Sequence, residues 1–174
     1  YYCLPILFRL YLNKKSALKH HRAYRTRPEL AVEMLEVLCN HRKNQRFHVV
    51  GDSAYGGQSV LCFLPTNCDL TSRLVKDARL YGPRAERKAG TNGRPRRWGE
   101  RLPTPHAMLT GRCRRVTLDI YGRSEEARLA DQVARVHAAP ERPLRIVAAE
   151  AVKGGRGHEA FYSTCSDATA EQVI

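Results

Sequence analysis

Arg46-Phe47-His48-Val49-Val50-Gly51-Asp52-Ser53-Ala54-Tyr55-Gly56-Gly57 is the stretch around which the chain is arranged. Phe47, Val49 and Val50 form a short β-branched and aromatic run that predicts a buried strand. The run ends on a lone carboxylate, Asp52, followed by a turn whose Gly56 and Gly57 permit unusual backbone angles. A carboxylate at the carboxyl end of a strand sits on a rigid element yet stays open to ligand, which suits a metal ligand or a catalytic acid. The competing reading is that Asp52 only caps the helix after the turn.

At 174 residues the chain is long enough for one domain that buries roughly 70% of its unfolded surface. It starts at Tyr1 without Met and stops at Ile174 inside a helical pattern, so it reads as a piece of a longer protein. No run approaches ~18 apolar residues, and no membrane span is expected. The charge is +13, with a pI near 9.9, which favours a polyanionic partner. It is unevenly spread. Residues 1–68 and 69–102 each carry ten Lys and Arg against four acids, whereas residues 103–174 carry ten against nine. Lys14, Lys15, Lys19, Arg22, Arg25 and Arg27 follow one another with no acid between them, and a second basic block runs from Arg84 to Arg101. Six scattered cysteines include no pair at zinc or redox spacing, so they read as buried free thiols.

Along the chain, the apolar run Tyr1 to Leu12 predicts a strand, and Asn13 to Arg25 a basic loop. Thr26 and Glu29 form a capping box with Pro28 in the first turn of a helix ending near Asn40 to Lys43. Its Leu30, Met34, Val37 and Leu38 stripe predicts core packing. After the 46–52 strand come a helix from about Gln58 to Leu64, stopped by Pro65, and a strand from Asp69 to Val75. Lys76 to Pro105 is rich in Gly, Pro and Arg and reads as extended, with Tyr81 and Trp98 interleaved among the bases either as stacking partners or as pins for the loop. Arg114 to Tyr121 alternates as a strand. Ser124 to Ala138 is open between helix and strand. Leu144 to Val152 and His158 to Thr164 form a hairpin about Gly154-Gly155-Arg156-Gly157, and a helix starts at Thr169.

Divalent-metal phosphoryl transfer needs several carboxylates around two ions ~4 Å apart. Asp69, Asp119, Glu150 and Glu159 are the candidates to join Asp52, and no spacing rule selects one. The Gly154 to Gly157 run lacks the Lys-Ser/Thr pair of a phosphate loop, Ser53 lacks a nucleophile-elbow frame, and His20, His21 and His106 have no evident acid or nucleophile partner.

Taken in order, Leu-Tyr-Leu-Asn-Lys-Lys (10–15), the capped helix, Val-Val-Gly-Asp-Ser-Ala-Tyr-Gly-Gly (49–57), Leu-Thr-Ser-Arg-Leu-Val-Lys-Asp-Ala-Arg-Leu-Tyr (70–81), Gly-Arg-Pro-Arg-Arg-Trp-Gly (93–99) and Phe-Tyr-Ser-Thr (161–164) resemble the catalytic region of bacterial insertion-sequence transposases with a DDE active site. The likeness covers most of the chain and keeps the family's order, although Cys165 stands where the family often has Asp after the last block. The resemblance implies an α/β (α+β) ribonuclease-H-like mixed sheet with flanking helices, interrupted by a β-rich basic insertion. Residues 1–75 would be the first part of that core, 76–143 the insertion and 144–174 the return to the core. It tips Ser124 to Ala138 towards strand.

It also implies metal-dependent DNA strand cleavage and transfer at transposon ends, with two Mg²⁺ ions held by Asp, Asp and Glu. Asp52 matches the second Asp. The first Asp would lie upstream of Tyr1 and the Glu beyond Ile174. Double-stranded DNA, no membrane, a cytoplasmic and nucleoid-associated location, and a homodimer of the complete protein complete the expectation. Lys14, Lys15, Arg84, Arg87, Lys88, Arg94, Arg96, Arg97 and Arg101 are the candidate DNA contacts. A basic nucleic-acid-binding module without catalysis is the alternative. In either case duplex binding is expected to weaken steeply between ~50 and 200 mM salt, because Lys and Arg contacts release counterions. Fluorescence anisotropy measures this, and a flat salt response would count against a phosphate-tracking surface.

Overall fold

The computed structural model describes residues 5–84, 98–120, 122–153 and 157–174. It is a mixed α+β fold built on one open, eight-stranded, mostly antiparallel sheet with few helices. Five helices are present among the described residues: α1 (Lys14–Lys19), α2 (Arg27–His41), α3 (Gln58–Leu61), α4 (Pro105–Thr110) and α5 (Ala170–Val173). The strands are β1 (Phe47–Gly51), β2 (Cys68–Arg73), β3 (Leu80–Tyr81), β4 (Arg101–Leu102), β5 (Arg114–Ile120), β6 (Arg123–Val136), β7 (Ala139–Ala151) and β8 (Glu159–Ser163). Their spatial order is β1-β2-β8-β7-β6-β3-β4, with β5 also paired to β6. Only β1 and β2 run parallel.

Side-chain alternation builds a core on each face. Leu144, Ile146 and Ala148 of β7 join Leu70, Tyr162 and the buried residues of α2, α3 and α4. Val147 and Ala149 of the same strand join Leu129, Phe161 and the α5 residues Ala170 and Val173. The strands β3, β4, β5 and β6, which lie within residues 76–143, extend this same sheet. Ser124 to Ala138, open by periodicity, lies largely in the 14-residue strand β6. Pro140 and Pro143 lie inside β7. The β6–β7 register shifts between Ala134 and Val136, and such an irregularity accommodates residues that cannot donate to a ladder. Gly122, at φ 71°, makes the turn from β5 to β6 in a conformation that favours glycine.

The capping box of α2 is present: Thr26 accepts from the Glu29 amide, and the Glu29 carboxylate accepts from the Thr26 amide. The buried face of α2 differs from the expected stripe, however. Val32 and Cys39 are buried with Leu35 packed beside them, while Val37 is 46% exposed. Leu30 and Met34 instead line a groove of about 420 Å³ between α2 and β1. The strand expected over Tyr1 to Leu12 is absent from its described part. Residues 5–13 carry no regular structure and pair with no strand among the described residues, and Ile6, Phe8 and Leu10 are exposed. The expected basic loop contains α1, whose N-terminus is capped by the Asn13 side chain accepting from Ser16. The helix after the Asp52 turn ends at Leu61, and α4, capped by Thr104, was not anticipated. Cys39 and Cys68 are buried as expected, but Cys62 and Cys113 are exposed and Cys165 is half-buried. Cys3, Tyr121 and the Gly154 to Arg156 part of the hairpin turn lie outside the described residues.

Trp98 stacks with Tyr81 at 4.7 Å and with His137 at 5.2 Å between ring centroids, so the indole pins its segment to β3 and to the β6–β7 turn. A second ring pair joins α4 to the start of β8. His106 and His158 face each other with their Nδ1 atoms 2.8 Å apart, one donating and the other accepting. Burial lowers the pKa of His158 below its ordinary 6.5, helped by His106 and Lys76 and opposed by Glu150. The folded chain therefore takes up this proton less readily than the unfolded chain. The group's stabilising contribution is complete above pH 6.5 and is lost as the pH falls below it. Thermal melts from about pH 7.5 to about pH 5 should show a shallower fall in Tm for His158→Gln than for the unsubstituted chain.

Candidate functional site

β1 has Phe47 and Val49 packed towards the α2 core, so alternation places His48, Val50 and then Asp52 on the opposite side, the face on which α5 begins. That face is open beside β1. Val50 is 78% exposed, and a hollow of about 490 Å³ is lined by His48, Val50, Thr71, Cys165 and Val173.

Directly after β1 the chain enters a 3-10 turn, Ser53–Tyr55. Asp52 Oδ1 accepts from the Ala54 amide at 2.8 Å, and the Asp52 carbonyl accepts from the Tyr55 amide at 3.1 Å. Asp52 is thus a cap in the literal sense. Among the described residues its Oδ2 accepts no hydrogen bond, and the residue is exposed.

Two buried hydroxyls hold the ends of this turn. Ser72 Oγ donates to the Asp52 carbonyl at 2.9 Å, and Tyr162 Oη donates to the Gly56 carbonyl at 3.0 Å. Ser72 is 2% exposed and Tyr162 is 1% exposed. Burial pushes the Tyr162 phenol up to about 12, so it is a proton donor throughout the neutral range. These hydroxyls also explain Gly56, but not Gly57. Gly56 (φ −87°) and Gly57 (φ −87°) adopt ordinary backbone angles, contrary to the expectation of unusual ones. Gly56 is needed for space: a Cβ there would lie 2.7 Å from Ser72 Oγ and 3.1 Å from Tyr162 Oη, whereas a Cβ on Gly57 would meet nothing within 4 Å.

None of the candidate acids reaches Asp52. Asp69 pairs in register with His48, four residues before Asp52, or about 13 Å along the strand. It is buried and already engaged, accepting from Arg46 Nε at 2.6 Å and from Thr164 Oγ1 at 3.1 Å. Burial alone would raise its pKa, but the hydrogen bonds from Arg46 and Thr164, with the charges of Arg46 and His48, hold it below the usual carboxylate range. Glu150 pairs with Arg128 at 3.1 Å, Glu159 pairs with Arg73, and Asp119 lies on β5, reached from β1 only across β2, β8, β7 and β6. Among the described residues no group of three His, Cys, Asp or Glu side chains could hold a metal ion.

The basic candidates are dispersed. Lys14 and Lys15 are exposed in the first turn of α1. Arg84 and Arg101 are exposed beside β3 and on β4, five and six strand steps from β1, or roughly 25–30 Å. Arg87, Lys88, Arg94, Arg96 and Arg97 lie outside the described residues. Among the described residues no helix is long and apolar enough to cross a membrane.

Sequence reasoning missed Ser72 and Tyr162. The only signal was a hydroxyl at a position that alternation assigns to the core. It also missed Asn67, whose side-chain amide reaches the carbonyls of Cys39, Arg42 and Gln45 and ties the end of α2 to β2. No family model matches the chain, and no curated protein or solved structure is significantly similar to it.

The glycine geometry has a direct test in urea unfolding. Gly56→Ala should destabilise the chain by about 1–3 kcal/mol, because the methyl group must displace a buried hydroxyl. Gly57→Ala should stay within about 0.5 kcal/mol of the unsubstituted chain.

Proposed function

We propose that the chain is part of the catalytic core of a DDE-type insertion-sequence transposase with a ribonuclease-H-like sheet, and that Asp52 is one of three carboxylates that hold its metal ions. The observation that carries this reading is the position of Asp52. It follows the last residue of a strand that pairs in parallel with β2, and it is exposed with one carboxylate oxygen uncommitted among the described residues. The ordered sequence blocks around it supply the family.

The surroundings of β1 support the same reading. Among the described residues β1 has β2 as its one strand neighbour, and its other edge borders the apolar groove of Leu30 and Met34. A further strand added at that edge would complete the ladder, cover the groove and bring a second carboxylate beside Asp52. A helix continuing from α5 would carry the third over the same face.

Two-ion phosphoryl transfer needs carboxylates around ions ~4 Å apart. The described residues contribute Asp52 alone, so they do not make up the ions' site, and no cleavage step is assigned to them by themselves. One observation favours the alternative, a basic nucleic-acid-binding module in which Asp52 is structural: its Oδ1 does cap the 3-10 turn.

The two readings separate on the activity of the full protein, since neither lets this chain cleave by itself. With Mg²⁺, this 174-residue chain should leave transposon-end DNA unnicked on a sequencing gel, and nicking by it would contradict the single-ligand assignment. In the full protein, Asp52→Ala should reduce strand cleavage to background while duplex affinity stays within about twofold, as expected for a residue that makes no phosphate contact of its own. Full cleavage by that variant would overturn the assignment of Asp52 as a metal ligand, and no cleavage by the unsubstituted full protein would leave the binding-module reading.

A further inference from the structure

The register of the sheet places three residues of the Asp52 site in one line. Gly51 lies beside Ser72 across the parallel β1–β2 pair, and Ser72 lies beside Tyr162 across the antiparallel β2–β8 pair. Ile146 of β7 continues the row. Ser72 and Tyr162 therefore stand on the rigid part of the sheet, both within the α2-side core, and both hydroxyls point at the same loop.

We propose that Ser72 and Tyr162 are positioning residues for the Asp52 carboxylate, a role that rests on the reading of Asp52 as a metal ligand. A carboxylate on a surface turn swings through its own two side-chain torsions and through the backbone that carries it. The side-chain freedom is curbed by the Ala54 amide, which holds Oδ1. The backbone freedom is curbed by the two hydroxyls. Ser72 holds the carbonyl of Asp52 itself, and Tyr162 holds the carbonyl of Gly56 four residues on, so the turn is tied down at both ends.

The tie is strong because it is buried. A hydroxyl in the core that loses its partner costs about 1–3 kcal/mol, so any motion lifting either carbonyl off its hydroxyl is opposed by that amount. Gly56 belongs to the same device, since only a residue without Cβ lets both hydroxyls reach the turn. The outcome is a carboxylate whose Oδ2 is presented in one direction from a fixed base, which a metal ligand needs and a cap does not.

The test uses the isotope-labelled full protein, in which the proposed reading supplies the other carboxylates, with Mn²⁺ as a paramagnetic probe and Asp52→Asn as the zero. Tyr162→Phe and Ser72→Ala each remove one hydroxyl while keeping the shape of the side chain. Each is expected to speed amide hydrogen exchange at Ala54 and Tyr55 about tenfold, the ratio that a lost hydrogen bond of ordinary strength gives. Each should also cut the Mn²⁺ broadening of the Asp52, Ser53 and Ala54 amides by about half or more, with exchange in α2 and β7 unchanged.

Broadening at the level of the unsubstituted chain in both variants overturns the proposal, even where exchange is faster, because the hydroxyls are then structural only. If the unsubstituted chain broadens no more than Asp52→Asn, the metal-ligand reading has failed separately. Positioning rests on that reading and falls with it.

Discussion

Strand β7 is buried on both faces, and the rest of the domain depends on that. Leu144, Ile146 and Ala148 close the core under α2, α3 and α4, while Val147 and Ala149 close the core under α5. Each of these residues except Ala149 is fully or almost fully removed from water, and complete burial of an aliphatic side chain is worth about 1.5–3 kcal/mol. A strand of this kind cannot slip by one residue without exchanging the contents of the two cores, so the register of β6 and β8 follows from it. Through β8 it sets Tyr162, through β2 it sets Ser72, and through β1 it sets the height at which Asp52 leaves the sheet.

Burial falls away from this centre towards β1. Val147 is fully buried, whereas Val50 on the same face is 78% exposed and Phe8 before α1 is 87% exposed. An edge strand flanked by uncovered apolar side chains is an aggregation hazard, which proteins ordinarily suppress with charges, bulges or a covering element. Arg9 and Arg27 stand at the rim of the groove beside β1, the guanidinium of Arg27 lying 5.0 Å from the Tyr11 ring centroid, and they supply charge there. They leave Leu30 and Met34 open. Apolar surface thus remains at this edge in Val50 and in the half-buried groove residues Leu30 and Met34.

The elements legible in the sequence were those whose signal is local. The Thr26–Glu29 capping box specified the start of α2, and apolar runs marked β1, β5 and β7 as strands, because caps and alternation are written in consecutive residues, although β1 has no fully buried residue and is not the buried strand expected. Elements that depend on a distant partner were not legible. The run before Leu12 has strand composition, yet strand composition describes a fit to a neighbouring strand and does not create one. The α2 stripe was misplaced for the same reason: helical periodicity shows that an apolar face exists, and the sheet decides which part of it is covered. At the site, Asp52 was visible as an acid at a strand end. Ser72 and Tyr162 were not, since their importance lies in a cross-sheet row spanning residues 51, 72 and 162.

Cap and ligand are compatible roles for Asp52, and the geometry separates them by oxygen atom. Oδ1 is occupied by the Ala54 amide, and Oδ2 is uncommitted among the described residues. A single amide hydrogen bond at a cap contributes about 1 kcal/mol, and a Ser or an Asn in place of Asp52 would supply it about as well. Capping alone therefore calls for neither an ionised carboxylate nor two buried hydroxyls beneath it. Buried hydroxyls tie up positions that Ala and Phe would fill with little loss, provided no carbonyl had to be held. Ser72 and Tyr162 converge on one turn, and Gly56 gives up its side chain to admit them. That arrangement is directed at the place where Asp52 meets solvent, and it makes sense when the second oxygen of that carboxylate has a partner to find.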